Sequence, residues 1–115
     1  MDLIAYNEYL TFEKFLLFEG KSRHPQWKKV RDYWLLNNPN CAACGTIENC
    51  CPHHIKPYWK FPELELDEKN LITLCNKNNC HFYLGHLLNW RAWNENIIQD
   101  AFYISNRIKN KVIYD

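Results

Sequence analysis

The side chains with most chemistry to offer in this 115-residue chain are its six cysteines and five histidines. The cysteines fall into Cys41-x-x-Cys44, the adjacent Cys50 and Cys51, and Cys75-x4-Cys80. Two thiolates from one turn and two from another can enclose a zinc ion tetrahedrally, with Zn–S bonds near ~2.3 Å. The first spacing is that of a zinc knuckle, and the second is wider than the common two-residue gap. The alternative is four unrelated thiols in a core. A site of this kind contributes on the order of 10 kcal/mol to folding, large beside the net stability of a small domain. Cys50 and Cys51 fit as small strand residues, although one of them could substitute for Cys80.

His53 and His54 are neighbours, and neighbours on an extended strand point to opposite sides. Both imidazoles can serve one reaction centre only if the backbone turns there, as the following Ile55-Lys56-Pro57 permits. Taken alone, the doublet is weak, because adjacent histidines arise often by chance. His81 directly follows Cys80. A zinc ion on Cys80 would pin the start of the next helix and with it the His81 ring, so that one metal site orients a ligand of another. Asn70 precedes an apolar run, where a short amide can bridge backbone groups across a loop or simply occupy a turn.

The elements that must carry these residues can be read from periodicity. Leu3, Tyr6, Leu10 and Leu17 predict an amphipathic helix over 2–18, ended by Gly20. A second helix is expected from near Pro25 to about Leu36, with Trp27, Val30 and Trp34 on one face and Lys28, Lys29 and Arg31 away from it. A strand ending at His53-His54-Ile55 follows, then a loop too rich in proline for helix, then a β-branched strand over Leu71-Ile72-Thr73-Leu74. From about Asn79 the pattern is helical again, through Phe82, Leu84, Leu87, Leu88 and Trp90. A last helix over 96–109 aligns Ile97, Ala101, Ile104 and Ile108. Trp59 and Trp90 are assigned to the core.

Composition narrows the function classes. At 47% hydrophobic and 16% aromatic the chain is globular, and its length suits one domain. Three glycines leave no glycine-rich phosphate loop. The start lacks a basic n-region and is interrupted by Asp2, Glu8, Glu13 and Lys14, so neither a secretory signal nor a membrane span is expected. A reducing, cytoplasmic setting follows, in which cysteines serve as metal ligands or free thiols. The net charge is only +1, but residues 20–60 carry Lys21, Arg23, Lys28, Lys29, Arg31, Lys56 and Lys60 against Asp32 and Glu48. Such a block can face phosphate or be an ordinary solvated surface.

The combination Cys41-Ala-Ala-Cys44-Gly45, His53-His54-Ile-Lys-Pro, the run from Pro62 through Asn70 to Cys75, and Cys80-His81 closely resembles the zinc-containing HNH endonuclease family. The lead-in from Trp27 to Gly45 is similar to that of small phage and prophage members. The resemblance spans about residues 25–93 and is specific as a combination, not in any single piece. It implies an α+β chain with a small ββα-metal (HNH) core, a four-cysteine zinc site and flanking helices. The whole chain, 1–115, would be one nuclease domain, with an N-terminal helix and linker over 1–24 and a C-terminal helix over 94–115.

The resemblance further implies that Cys41, Cys44, Cys75 and Cys80 hold one structural zinc. His53 and His81 would hold one catalytic divalent ion (Mg²⁺, Mn²⁺, Ni²⁺ or Zn²⁺). His54 would be the general base and Asn70 the brace of its loop. DNA would be cut to 5′-phosphate and 3′-hydroxyl ends, with phage packaging proteins as further expected partners. Lys28, Lys29, Arg31, Lys56, Lys60 and Arg91 are the candidate phosphate contacts, which position a nuclease without reading sequence. A zinc-stabilised DNA-binding module without catalysis is the alternative, and a thiol-based redox or metal-handling protein a third. One departure stands out: many relatives have another histidine four residues after the helix ligand, whereas this chain has Gly85 there and His86 one later. At about 100° per residue, five α-helical residues turn His86 about 140° past His81. The expectation is therefore that His86 lies outside the ligand shell.

Overall fold

Leu71–Cys75 is the strand around which the rest is arranged. In the computed structural model, which describes residues 23–110, all five of its residues are buried. The helix expected over 2–18 lies outside the described residues. A strand buried on both faces needs cover on both. We label Cys50–His54 β1 and Leu71–Cys75 β2; they pair antiparallel, with Cys50 opposite Cys75, Pro52 opposite Thr73 and His54 opposite Leu71. The other edge of β2 is taken by the knuckle, where the Ala42 amide donates to the Thr73 carbonyl at 2.8 Å. Pro52 can therefore sit opposite Thr73 without leaving a ladder bond unmade.

Directly opposed residues share a face. His54, Leu71 and Thr73 face one way, and His53, Ile72 and Leu74 the other. Helix α1, Trp27–Asn37, covers the first face. There the Trp34 indole donates to Thr73 Oγ1 at 2.9 Å, and that hydroxyl donates to the Asn38 carbonyl at 2.7 Å. On the second face Ile97 and Ala101 of α2, Ile97–Lys109, join Ile72 and Leu74 in the main apolar cluster, with Cys41, Ala43, Cys75 and Cys80. Along the stripe expected for α2, Ile104 is half-buried and Ile108 is exposed.

Between β2 and α2 the chain departs from expectation. Instead of a helix running from 79 towards 90, it makes one turn of π-helix over His81–Gly85. The His86 amide closes it by donating to the His81 carbonyl at 3.0 Å. Leu87 and Leu88 then take left-handed backbone, φ 53° and 67°. Those torsions are unfavourable for leucine and end the helix. Packing explains the wide turn. A Cβ on Gly85 would lie 3.0 Å from Leu74 Cδ1 and 3.1 Å from His53 Cε1, so this turn rests directly on the sheet. Buried Asn94 ties it to α2, its amide donating to the Leu84 carbonyl at 3.1 Å and to Asp100 Oδ2 at 2.7 Å.

The described chain is thus a small mixed α/β fold of helix, two antiparallel strands, π turn and helix. Among the described residues no helix is long and apolar enough to cross a membrane.

Candidate metal centres and the histidine-lined cavity

Cys41, Cys44, Cys75 and Cys80 converge from three elements. The first two sit on the knuckle, closed by the Gly45 amide donating to the Cys41 carbonyl at 2.9 Å and by Gly45 at φ 82°. Cys75 ends β2, and Cys80 begins the π turn. The four-residue gap between them is taken up by a loop in which Asn79 adopts left-handed backbone, φ 61°, a conformation asparagine tolerates. All four sulfurs lie within 4.8 Å of one another. Four thiolates at ~2.3 Å from one ion stand about 3.8 Å apart, so the set fits zinc.

The surroundings favour a thiolate at Cys44. The Asn78 backbone amide reaches Cys75 Sγ at 3.4 Å, and its side-chain amide reaches Cys44 Sγ at 3.3 Å. Burial opposes ionisation of Cys44, but the Asn78 side-chain amide, the Thr46 backbone amide and the neighbouring Cys75 and Cys41 thiols outweigh it and bring its pKa down to about 7. Burial holds the Cys41 and Cys80 thiols up. Cys50 is not part of the set; its thiol donates to the Thr46 carbonyl at 3.2 Å. Cys51 lies on the other face, 3.5 Å from His81 Nδ1.

A second group brings together His53, His81 and His86. The α-helical geometry expected between His81 and His86 does not hold, and His86 comes beside His81 for a physical reason. In a π turn the residue five along, not four, stacks over the first, and His86 Nε2 comes within 3.1 Å of His81 Nε2. The other ring nitrogens are committed. His86 Nδ1 donates to the Ala92 carbonyl at 2.8 Å, and His81 Nδ1 to Asn76 Oδ1 at 3.2 Å. Two nitrogen lone pairs therefore face each other, an arrangement that a shared cation relieves. The separation is close to the roughly 3.4 Å expected for two nitrogens ~2.1 Å from one tetrahedral ion. His53 Nε2 is buried without a hydrogen-bond partner, which a buried imidazole rarely tolerates. Burial foremost, and then the neighbouring rings, hold His53 down to about 2; burial and His86 hold His81 down to about 4. Neutral imidazoles are the form that binds metal.

His54 lies apart from this group, as the alternation of the strand requires. It is buried against the Trp27 ring, centroids 4.6 Å apart, and its Nε2 is 2.9 Å from the Glu65 carbonyl. A carbonyl only accepts, so Nε2 carries the proton and Nδ1 keeps its lone pair. Burial lowers the pKa of this ring, with the Glu65 carbonyl partly offsetting that. Asn70 is buried nearby and acts as a clamp. Its Oδ1 accepts from the Lys56 amide and its Nδ2 donates to the Lys56 carbonyl, both at 2.9 Å. The backbone just beyond His54 is thereby tied to the start of β2. Glu65 had no signal in the sequence to separate it from Glu63. Its buried carboxylate accepts from the His24 amide at 3.2 Å and from Arg23 Nη1 at 3.4 Å, fixing the segment whose carbonyl holds His54.

His53, His54, His81 and His86 line one cavity of about 190 Å³, which Arg23, Trp59, Trp90, Arg91 and Trp93 also enclose. Of the candidate phosphate contacts only Arg91 lines it. Lys28 and Lys29 are exposed on α1, and Arg31 is paired with Asp32 at 3.2 Å. Lys56 lies over Phe61 and Lys60 over Trp93. Neither tryptophan assigned to the core belongs there: Trp59 is half-buried in the cavity wall, and Trp90 is 54% exposed. Compared with protein-family models, curated proteins and solved structures, the chain gives no significant match. A functional reading therefore stands on these residues and their geometry.

Proposed function

We propose that this chain is a metal-dependent endonuclease that hydrolyses DNA phosphodiester bonds, of the HNH kind its motifs resemble. The observation that carries the reading is the division of the histidine doublet across one cavity. His53 joins His81 and His86 as a metal-binding group, while His54 stands beside them as a neutral, backbone-anchored base. A divalent ion bound by the three histidines would supply charge neutralisation at the phosphate and at the departing 3′ oxygen. His54, with Nε2–H held by Glu65, has Nδ1 available to take the proton of the attacking water. Asn70 keeps the chain beyond His54 in place, and Arg23 and Arg91 bring positive charge to the cavity wall. The tetracysteine group has no part in the chemistry; as a zinc site it fixes the knuckle, the end of β2 and the start of the π turn.

Supercoiled plasmid is the direct test. Purified protein with Mg²⁺, Mn²⁺ or Ni²⁺ should convert it to nicked or linear forms, and EDTA should stop the reaction. His54→Ala should slow cleavage by on the order of 10²- to 10⁴-fold, the contribution of a general base, while keeping its metals. Equal activity of the two proteins would overturn the assignment of His54. Retained DNA affinity with no cleavage by either would leave a zinc-stabilised binding module.

A further inference from the structure

The catalytic reading leaves the aromatic wall of the cavity unexplained. Trp90 is 54% exposed although the chain holds it at a defined place, its ring centroid 5.3 Å from His81, 4.9 Å from His86 and 4.8 Å from Phe82. Two consecutive left-handed leucines, Leu87 and Leu88, turn the chain before it. The His86–Ala92 hydrogen bond closes the loop around it. A large apolar ring kept in water beside a metal-binding group, at the end of a strained turn, is placed for contact with something else. Trp59 and Trp93 stand edge to face in the same wall, centroids 6.2 Å apart.

The chemistry that suits this wall is the face of a nucleobase. In a duplex those faces are hidden in the stack, and a protein meets only groove edges and phosphates. A tryptophan beside the cleaved phosphate can be covered by a base only where that base has left the stack. The charge distribution agrees. Among the described residues the basic side chains lining the cavity are Arg91 and Arg23, and Arg23 is already paired with Glu65 at 3.4 Å, so the charge there suits a single phosphate and leaves much of the contact to the aromatic rings. We propose that the site takes unpaired DNA, with a base next to the cleaved phosphate stacked on Trp90. This rests on the phosphodiester-hydrolase reading above and gives it a substrate class.

Binding of fluorescein-labelled oligonucleotides to the zinc-loaded His54→Ala chain tests it without cleavage. The probes are a short thymidine single strand, a blunt duplex, and the same duplex interrupted by a gap of a few nucleotides. The single strand and the gapped duplex should bind about tenfold tighter than the blunt duplex, the scale of one base–aromatic stack. Adding Trp90→Ala should remove that preference while zinc content stays the same, and Trp90→Phe should keep most of it. Equal affinity for all three probes overturns the proposal, as does a Trp90→Ala loss shared equally by paired and unpaired DNA. Cleavage of single-stranded and duplex DNA at equal rates by the wild-type chain would sink this proposal and leave the hydrolase reading standing. A strand preference lost with Trp90, in a wild-type chain that cuts nothing, would leave the unpaired-strand site standing and sink the hydrolase reading.

Discussion

At the scale of single residues, the site depends on which nitrogen of each histidine is already occupied. Ala92 and Asn76 take the Nδ1 protons of His86 and His81, so both Nε2 atoms point lone pairs at one spot. Glu65 does the reverse for His54, holding Nε2 and leaving Nδ1. Such partners fix tautomer and orientation before any ligand arrives, and losing one commonly costs roughly 10- to 100-fold in metal affinity. His86→Ala removes one of the three rings that could hold the ion. It should weaken binding of Ni²⁺ or Zn²⁺ at the histidine group by at least about 100-fold while the tetracysteine zinc remains. Calorimetric titration of zinc-loaded protein reads this directly, and unchanged affinity would place His86 back outside the shell. Gly85 follows the same logic in space. A methyl there meets Leu74 and the His53 ring at 3.0–3.3 Å. Gly85→Ala should therefore displace His53 by a few tenths of an ångström and weaken the same titration, with the fold intact.

At the scale of elements, the π turn and the two leucines after it form one device. The wider winding brings His86 over His81, and the left-handed pair then reverses the chain so that Trp90 returns over both. Leucine in left-handed backbone costs roughly 1–2 kcal/mol, a penalty glycine escapes. Leu88 is 62% exposed, so little packing is lost with its side chain. Leu88→Gly should leave the protein as stable as before or about 0.5–1 kcal/mol more stable, once the greater freedom of glycine in the unfolded chain is counted. A urea midpoint that falls clearly would mean that the Leu88 side chain has a packing role its exposure does not reveal. The helices flanking the sheet are ordinary by comparison. α1 is held through Trp34 and Thr73, and α2 through Ile97, Ala101 and the Asn94–Asp100 bond.

For the molecule as a whole, the tetracysteine group is the structural hub. Its ligands come from the knuckle, from the end of β2 and from the start of the π turn. Every element that carries a histidine of the cavity is tied to it directly or through the sheet. Among the described residues, a two-stranded sheet and a few fully buried side chains (Leu74, Ile97 and Cys75 the largest) make a small apolar core. Zinc binding worth on the order of 10 kcal/mol would then decide whether the chain folds. Metal analysis should return about one tightly held zinc. Cys41→Ser or Cys75→Ser should lose both it and cooperative unfolding, read by circular dichroism. A chain that stays folded under strong chelation would show that the core suffices without the metal.

How much of this was legible in the sequence differs from part to part. Short-range patterns survived: β-branched Leu71–Cys75 is a strand, Trp27–Asn37 and Ile97–Lys109 are helices, and the knuckle spacing brings Cys41 and Cys44 to Cys75 and Cys80. The strand, the helices and the knuckle itself are set by residues near one another in the chain, through backbone preference and local turns, whereas the meeting of the two cysteine pairs spans some 31 residues and needs the sheet to close. The members of the tetracysteine group, which could hold a metal, were likewise legible in residue type. Tertiary contact decided the rest. A π turn is rare on local grounds, so it takes tertiary contact, here the close packing of Gly85 on Leu74 and His53, to hold one, and that turn brings His86 beside His53 and His81. Periodicity gives Trp90 an apolar label, but only the turn at Leu87 and Leu88 puts it in solvent beside the histidines. Glu65 matters through a carbonyl and a buried carboxylate that meet partners 11 to 42 residues away. No pattern in the neighbouring residues can announce such contacts, because they exist only once the chain has closed on itself.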